Sequence, residues 1–271
     1  MEKLRVCAGI TFYNPTNDDV NNVIKYSEFL SQIYIYDNSE PKSNYEILRN
    51  KNIEILSYGE NNGLSKACHD LCTKAQMNEF DYIILFDQDS RMSLSDIQLM
   101  VSYMEDDSDR ADIYSPQIVF NNQIEIKKDK KVEKIKWCIT SGSMINLHNY
   151  NVRYRFDDNY FIDALDKDLC KQIINSNGVI KRINLAKLYQ NLGEISVYGR
   201  MEHKPFRHYY ISRNRLYYNK KYHVNNLISF LQIIRHILLV FLNESDKLEK
   251  LKMIFLGISD YKDNKMGKYP Y

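Results

Sequence analysis

The strongest constraint on the fold is a unit that recurs in the first third of the chain. It consists of a short apolar run, a polar cluster where the run stops, and then a stretch of helical period. Val6-Cys7-Ala8-Gly9-Ile10-Thr11-Phe12 is the first run, ending at Asn14-Pro15. A helix is expected from about Asp18 to Leu30, with Val20, Val23 and Ile24 on its apolar side and Phe29 and Leu30 further on. Ile33-Tyr34-Ile35-Tyr36 forms the next strand, stopped by Asp37-Asn38-Ser39, and a short helix is expected near Tyr45–Arg49. Ile53-Glu54-Ile55-Leu56 follows, then a loop with Asn61-Asn62-Gly63 and a helix from about Leu64 to Met77. Tyr82-Ile83-Ile84-Leu85-Phe86 is the most apolar strand of all. Strands separated by helices imply parallel βαβ units, hence a doubly wound, mainly parallel α/β sheet.

In such sheets ligands bind beyond the carboxyl ends of the strands. Thr11-Phe12-Tyr13-Asn14, Asp37-Asn38-Ser39 and Asp87-Gln88-Asp89 all fall at that edge, so the pattern itself predicts a site there. Asp87 and Asp89 are two residues apart, and extended geometry would turn both carboxylates to one side. Neighbouring carboxylates resist double ionisation unless a cation lies between them. Hard oxygen ligands suit Mg²⁺ or Mn²⁺, which bind through one or two carboxylates and phosphate oxygens. Asp37 could accept hydrogen bonds from a base or ribose, Tyr13 could stack on a base, and Thr11 could touch it. Asn62-Gly63 precedes a helix, where free amides let a phosphate or ribose approach. Each of these also has an ordinary reading as a turn former or helix cap.

Composition narrows the class. With 271 residues the chain can bury a full core, and 44% hydrophobic with 27% charged residues is globular usage. A net charge of +2, from 37 basic and 35 acidic residues, argues against a general nucleic-acid binder. Five scattered cysteines, with Cys68 and Cys72 one helical turn apart, read as buried thiols rather than a disulfide framework or zinc site. No apolar leader precedes the first strand. These features together set the expectation of a cytoplasmic protein, with peripheral attachment to the inner membrane face as an option. Tyrosine is abundant, at 22 residues, and in the last third it stands beside Lys and Arg. That suits either a sugar-binding surface or a Tyr-, Asn- and Lys-rich composition with no such role.

The second half is less regular. Ile118-Val119-Phe120 and the stretch from Val132 to Ile145 read as strands, with the charged run Lys127–Lys131 as a solvated hairpin tip between them. Helices are expected over Asp166 to Asn175 and Pro205 to Tyr218. The organisation is therefore one catalytic domain, 1–221, and a helical C-terminal extension, 222–271, that associates with a membrane or dimerises. Within it Leu227–Leu242 is strongly apolar but broken by Gln232, Arg235 and His236, and is shorter than the ~20 residues of a spanning helix. It either lies in a membrane interface or packs on protein.

Several motifs, taken in order, carry a resemblance: Thr11-Phe12-Tyr13-Asn14-Pro15, Tyr36-Asp37-Asn38-Ser39, Glu60–Ala67 and Phe86-Asp87-Gln88-Asp89-Ser90. Thr140-Ser141-Gly142-Ser143, Phe161–Cys170 and Arg207–Asn214 extend it. Together they resemble the family-2 inverting glycosyltransferases of GT-A fold, the later set being similar to the rhamnosyltransferase branch. The resemblance implies a Rossmann-like, mixed but mainly parallel sheet flanked by helices, and transfer of a hexose such as rhamnose from a dTDP- or UDP-sugar. The acceptor it implies is a saccharide, lipid-linked, in bacterial surface polysaccharide synthesis. It further implies that Asp87 and Asp89 hold Mn²⁺ or Mg²⁺ and the donor diphosphate, with His203 completing the metal shell. Asp37, Thr11 and Tyr13 would bind the nucleoside, and Asp166 would be the catalytic base, with Asp163 its rival. Arg207 and Arg213 would neutralise phosphates. Leu169 and Lys171-Gln172 depart from the family pattern beside that base, so sugar and acceptor specificity do not transfer.

Other readings remain open at this point. A sugar nucleotidyltransferase would carry a glycine-rich basic loop after the first strand, where this chain has Thr11–Pro15. A dehalogenase-type phosphatase would place Asp-x-Asp near its N-terminus. A catalytically silent binding subunit of a glycan-assembly complex would conserve the fold but release no nucleotide.

Overall fold

The computed structural model describes residues 4–40, 48, 52–120, 131–190 and 202–269. Four parallel strands build the first half: β1 (Val6–Phe12), β2 (Ile33–Asp37), β3 (Ile53–Ser57) and β4 (Tyr82–Asp87). They lie in the order β3-β2-β1-β4. Helices α1 (Asn17–Ser27) and α2 (Leu64–Met77) provide two of the crossovers. The short helix expected near Tyr45–Arg49 lies outside the described residues, apart from the buried Leu48.

The apolar runs are continuous because both faces of this sheet are covered. Ala8, Ile10 and Phe12 join Val20, Val23 and Tyr26 of α1 and Ile97, Met100 and Met104 of α3 (Leu94–Asp106) in one core. On the opposite face α2 presses close. A Cβ on Gly9 would lie 2.8 Å from the Ile83 and Leu85 side chains and 3.3 Å from Leu71. Cys68 and Cys72 are buried on the same helix, and all five cysteines are free thiols.

Beyond β4 the sheet becomes mixed. The strand β8 (Met144–Asn146) runs antiparallel to β4, and β6 (Ile113–Phe120) antiparallel to β8. Parallel to β6 runs β9 (Ile180–Gln190), with a shift of register between Pro116 and Gln117. On the far side of β9 lie the short β5 (Arg91–Met92) and β7 (Val132–Ile135). The expected hairpin of β6 with β7 does not form. Ile180–Ile183 of β9 pairs with Ile113–Pro116 on one side and with Val132–Ile135 on the other, so β9 separates the two strands. Of the charged run between them, only Lys131 is among the described residues. Helix α4 (Leu165–Asn175) immediately precedes β9 and belongs to the crossover that parallel pairing with β6 requires.

The chain forms two compact units: Met1–Asp158 with Asp166–Asn191, and Asn159–Leu165 with Leu192–Tyr271. The first holds the sheet. The second is helical: α5 (Pro205–Lys221), α6 (Asn226–Asn243) and α7 (Lys247–Lys262). Pro205 opens α5 at a position where its missing N–H costs nothing. Close approach of α5 and α7 depends on Gly257, whose Cβ would sit 2.4 Å from the Tyr209 carbonyl oxygen. Tyr209, Tyr210 and Tyr218 are buried here, so these tyrosines build a helical core rather than an exposed sugar-binding surface. Lys250 is buried with its charge satisfied by Glu202 at 2.6 Å and Glu244 at 3.1 Å.

Candidate active site

Register places the polar cluster. Thr11 pairs with Tyr36 on one side and with Asp87 on the other, and Phe12 pairs with Asp37. Three adjacent strands therefore release Thr11–Tyr13, Asp37–Ser39 and Asp87–Asp89 at one level of the sheet edge.

The turn after β4 is tightly held. Asp87 ends the strand and its N–H donates to Ser141 Oγ at 3.0 Å, while Gln190 Nε2 donates to Asp87 Oδ2 at 3.3 Å. Ser90 N–H returns to the Asp87 carbonyl at 3.1 Å, so Gln88 and Asp89 lie in a turn and not in extended chain. The alternation that would have aligned the two carboxylates thus stops at Asp87, and proximity comes from the turn instead. Gln88 Oε1 accepts the Tyr13 N–H at 2.7 Å, tying β4 to the segment after β1. Arg91 braces the turn from below. It donates to the Gln88 carbonyl at 2.7 Å and the Ser90 carbonyl at 3.2 Å, and meets Asp19 at 2.8 Å. Burial pushes the Asp19 carboxyl up, but hydrogen bonds from Arg91 and Thr16 outweigh it and hold that carboxyl below its ordinary range. Asp19 also closes the capping box of α1 with Thr16, so one carboxylate couples a helix start to the Asp87–Asp89 turn.

Asp89 has the opposite environment. Its residue is exposed at the surface, yet the protein atoms crowded around the carboxyl desolvate it, and this first cause raises its pKa; Asp19 adds to the rise. A carboxylate in that position gains from a cation. Among the described residues no three His, Cys, Asp or Glu side chains converge into a cage. Asp87 and Asp89 are hard oxygen donors, which fits a Mg²⁺- or Mn²⁺-type ion that completes its shell with substrate phosphates rather than with protein.

On the β2 side, Asp37 is fully buried, and its Oδ1 accepts the Ser39 N–H at 2.9 Å. Ser39 Oγ in turn accepts the Asn14 N–H at 2.8 Å. Asn38, which sequence reasoning left without a role, bridges to the next loop. Its Oδ1 accepts the Asn62 N–H at 3.0 Å and its Nδ2 donates to the Gly63 carbonyl at 3.3 Å. Tyr13 is 51% exposed and available for stacking. Gly63 caps α2 at φ 86°, ψ 169°, a conformation almost confined to glycine. No side chain caps that helix start and no acid lies in its first turn, which leaves its amides to an anion. Gly63→Ala is expected to lower stability by about 1–3 kcal/mol, read as a fall in thermal midpoint without ligand.

Asp166 lies in the first turn of α4, where the helix dipole favours a carboxylate. Its Oδ1 accepts the Thr140 N–H at 2.8 Å and also the Thr140 hydroxyl. Asp168 is buried and receives Gln172 Nε2 at 2.6 Å, a structural use. Trp137, the only tryptophan of the chain, is 55% exposed on the loop that leads to Thr140; its isolation in the composition was the one signal for it.

The remaining expected residues belong to the helical unit. Asp163 and Ala164 take successive left-handed conformations, φ 63° and 68°. Asn214 Nδ2 holds that turn by donating to the Ile162 and Asp163 carbonyls at 2.7 and 3.1 Å. The Asp163 carboxylate is gripped by Arg207, with Nη2 to Oδ1 at 2.9 Å. These two residues therefore serve one another, where sequence had put one in general-base chemistry and the other against phosphate. Arg213 is fully buried, its guanidinium 5.1 Å from the Tyr209 and Tyr210 rings, and among the described residues its Nη2 has no hydrogen-bond partner. His203 packs edge-on to His208 at 6.0 Å. Burial and then Arg207 hold its pKa below the ordinary histidine value, which keeps the neutral form that a metal ligand needs.

Such a sheet, with a carboxylate turn at its edge and a carboxylate-bearing helix following, defines an α/β transferase of GT-A architecture. The chain belongs to glycosyl transferase family 2, whose sequence model matches residues 18–174, and it is a glycosyltransferase. It is similar to the dTDP-rhamnosyl transferase RfbF of Shigella flexneri, at 26% identity over 94% of each chain. Among solved structures it resembles GalNAc-T7 with UDP, GalNAc and Mn²⁺, with a TM-score of 0.56 and 15% identity. That match covers 78% of this chain but only 47% of the other. TarS 1-349 of S. aureus with UDP matches over 96% of this chain and 72% of that one, with a TM-score of 0.53 and 11% identity. These structural likenesses establish the fold.

Proposed function

We propose that the protein transfers a hexose, rhamnose or a related sugar, from a dTDP- or UDP-sugar to a saccharide acceptor, with inversion at the anomeric carbon. The observation that carries this reading is that Thr11 and Asp87 sit level and Asp37 one residue beyond, at the ends of three neighbouring parallel strands. Tyr13 stacks on the base, and Thr11 contacts the nucleoside. Asp37 acts by fixing the turn that presents Asn38 and Ser39. The first amides of α2, set up by the Asn62-Gly63 turn before them, receive donor oxygens, an arrangement suited to negative charge.

Asp87 and Asp89 would hold Mn²⁺ or Mg²⁺. When bound, the ion stabilises negative charge developing on the diphosphate leaving group. Asp166, held by Thr140, takes the proton from the acceptor hydroxyl as that oxygen attacks. It is favoured over Asp163, whose carboxylate lone pairs are engaged by Arg207. Arg207 then positions Asp163, and Arg213 supports the helical core. Trp137 offers the acceptor an apolar ring face beside a polar rim. The name of the Shigella relative supports rhamnose and the dTDP carrier, and the saccharide acceptor is lipid-linked on this reading.

Donor identity is tested by thermal shift with UDP-, dTDP- and GDP-sugars in Mn²⁺, Mg²⁺ or EDTA. A ligand at a hundred times its Kd stabilises by about 2.7 kcal/mol. One donor class should raise the midpoint in the presence of the ion, and EDTA should remove most of the rise. No shift with any sugar nucleotide would overturn the reading and favour a silent binding subunit.

A further inference from the structure

The helical unit carries a surface that sugar transfer does not use. Helix α6 exposes Leu227, Phe230, Leu231, Leu238, Phe241 and Leu242, each more than half accessible. Over its 18 residues the mean hydropathy is 1.5, and only 17% of the stretch is buried. By length and composition alone it could cross a membrane, since 18 residues span about 27 Å.

Its other face forbids that. Asn219 of α5 donates to Ser229 Oγ and Gln232 Oε1, both at 2.9 Å. Arg215 reaches the Gln232 carbonyl at 3.2 Å, and His236 Nε2 lies 3.0 Å from His208 Nδ1. Crossing would strip these groups of their partners and put them in hydrocarbon. A helix bonded along one polar side and bare along an apolar side lies in the plane of an interface.

Along α5 and α6 the charge is of one sign, and the exposed acids Asp246 and Glu249 lie beyond them at the start of α7. No Asp or Glu occurs between Glu202 and Glu244. Lys220 and Lys262 line the same groove as Phe230 and Ile234, Arg235 is exposed on α6, and Lys247 lies 5.2 Å from the Phe241 ring. A second copy meeting this face by two-fold symmetry would set it against itself, and α6 offers no acid to pair with Arg235. Anionic headgroups complement it.

We infer that the outer face of α6, with its flanking lysines, is a monotopic docking surface for an anionic lipid bilayer. The surface deepens the reading of a lipid-linked acceptor, and its test needs neither donor nor acceptor. Full-length protein is floated with phosphatidylcholine vesicles, with and without phosphatidylglycerol. Binding should require phosphatidylglycerol, weaken with salt, and yield to alkaline carbonate. Leu231→Glu with Leu238→Glu should cut it by at least about tenfold, as two exposed leucines lose their apolar contribution. Their exposure lets the fold survive, which the thermal midpoint verifies. Arg235→Gln with Lys220→Gln should flatten the salt dependence. Three outcomes would overturn the inference: no binding to either vesicle, carbonate-resistant insertion, or a stable dimer that the leucine variants split. Donor thermal shifts measured without vesicles report separately on the transferase reading.

Discussion

Asp166→Asn is expected to abolish measurable turnover while leaving donor binding and fold intact. Loss of a positioned general base costs about 10²- to 10⁴-fold, or roughly 3–5 kcal/mol of barrier. Asparagine keeps the shape of the side chain and an oxygen that can accept the Thr140 N–H, whose bond to Asp166 is 2.8 Å. Donor-induced thermal shift should therefore match wild type while product release falls to background. Asp163→Asn should behave differently. It loosens the grip of Arg207 on a turn that already holds two residues at positive φ, so its main effect falls on thermal stability. Unchanged turnover in the Asp166 variant, with loss in the Asp163 variant, would reverse the assignment of the base.

Asp89→Asn should separate activity from stability. Removing a ligand of the ion forfeits charge stabilisation worth several kcal/mol, a fall in rate of roughly a hundred- to a thousandfold. Stability should move the other way. Desolvation raises the folded-state pKa of this carboxyl, so the folded chain binds its proton more tightly than the unfolded chain does. The wild type loses stability as pH climbs from the ordinary carboxylate value through the raised one, and above that window the ionised group is a burden to the fold. In EDTA at neutral pH the variant should melt at the same temperature or higher. The gap should close in acid, where the wild-type carboxyl is protonated in both states. A variant clearly less stable than wild type at neutral pH would contradict this account.

The first half of the fold is legible because β1, β2 and β4 are nearly continuous apolar runs and the helices between them have clean stripes. The runs at Val6–Phe12 and Leu64–Met77 match the observed β1 and α2 end to end. Elements whose burial is supplied by distant partners are harder to read. β9 interleaves Lys181, Arg182 and Lys187 with its apolar residues, and Lys181 is paired with Asp107, 74 positions away. No local pattern announces it. α3 by contrast carries a local signature that the sequence reading passed over, a Ser93 cap with Asp96 three residues on and Ile97, Met100 and Met104 buried at helical spacing. At the site, the residue types that bear charge stand out in sequence, but the bonds that hold them do not. Asn38, Gln88 and Thr140 fall inside marked polar clusters and Arg91 just after one, but their partners lie far along the chain, so the bonds they make are not written in the sequence nearby.

The helical unit takes in Asn159–Leu165 from the middle of the sequence, and this limits how the protein can be recombined. Asp163 leans on Arg207, Asn214 carries the carbonyls of Ile162 and Asp163, and Asn159 bonds Tyr217 at 3.0 Å. Asp166 follows directly after that segment in the chain. A chimera that swapped everything after α4 for the tail of a related enzyme would inherit half of each of these bonds. The C-terminal helices are not a detachable cassette; any exchange must carry residues 159–165 with them.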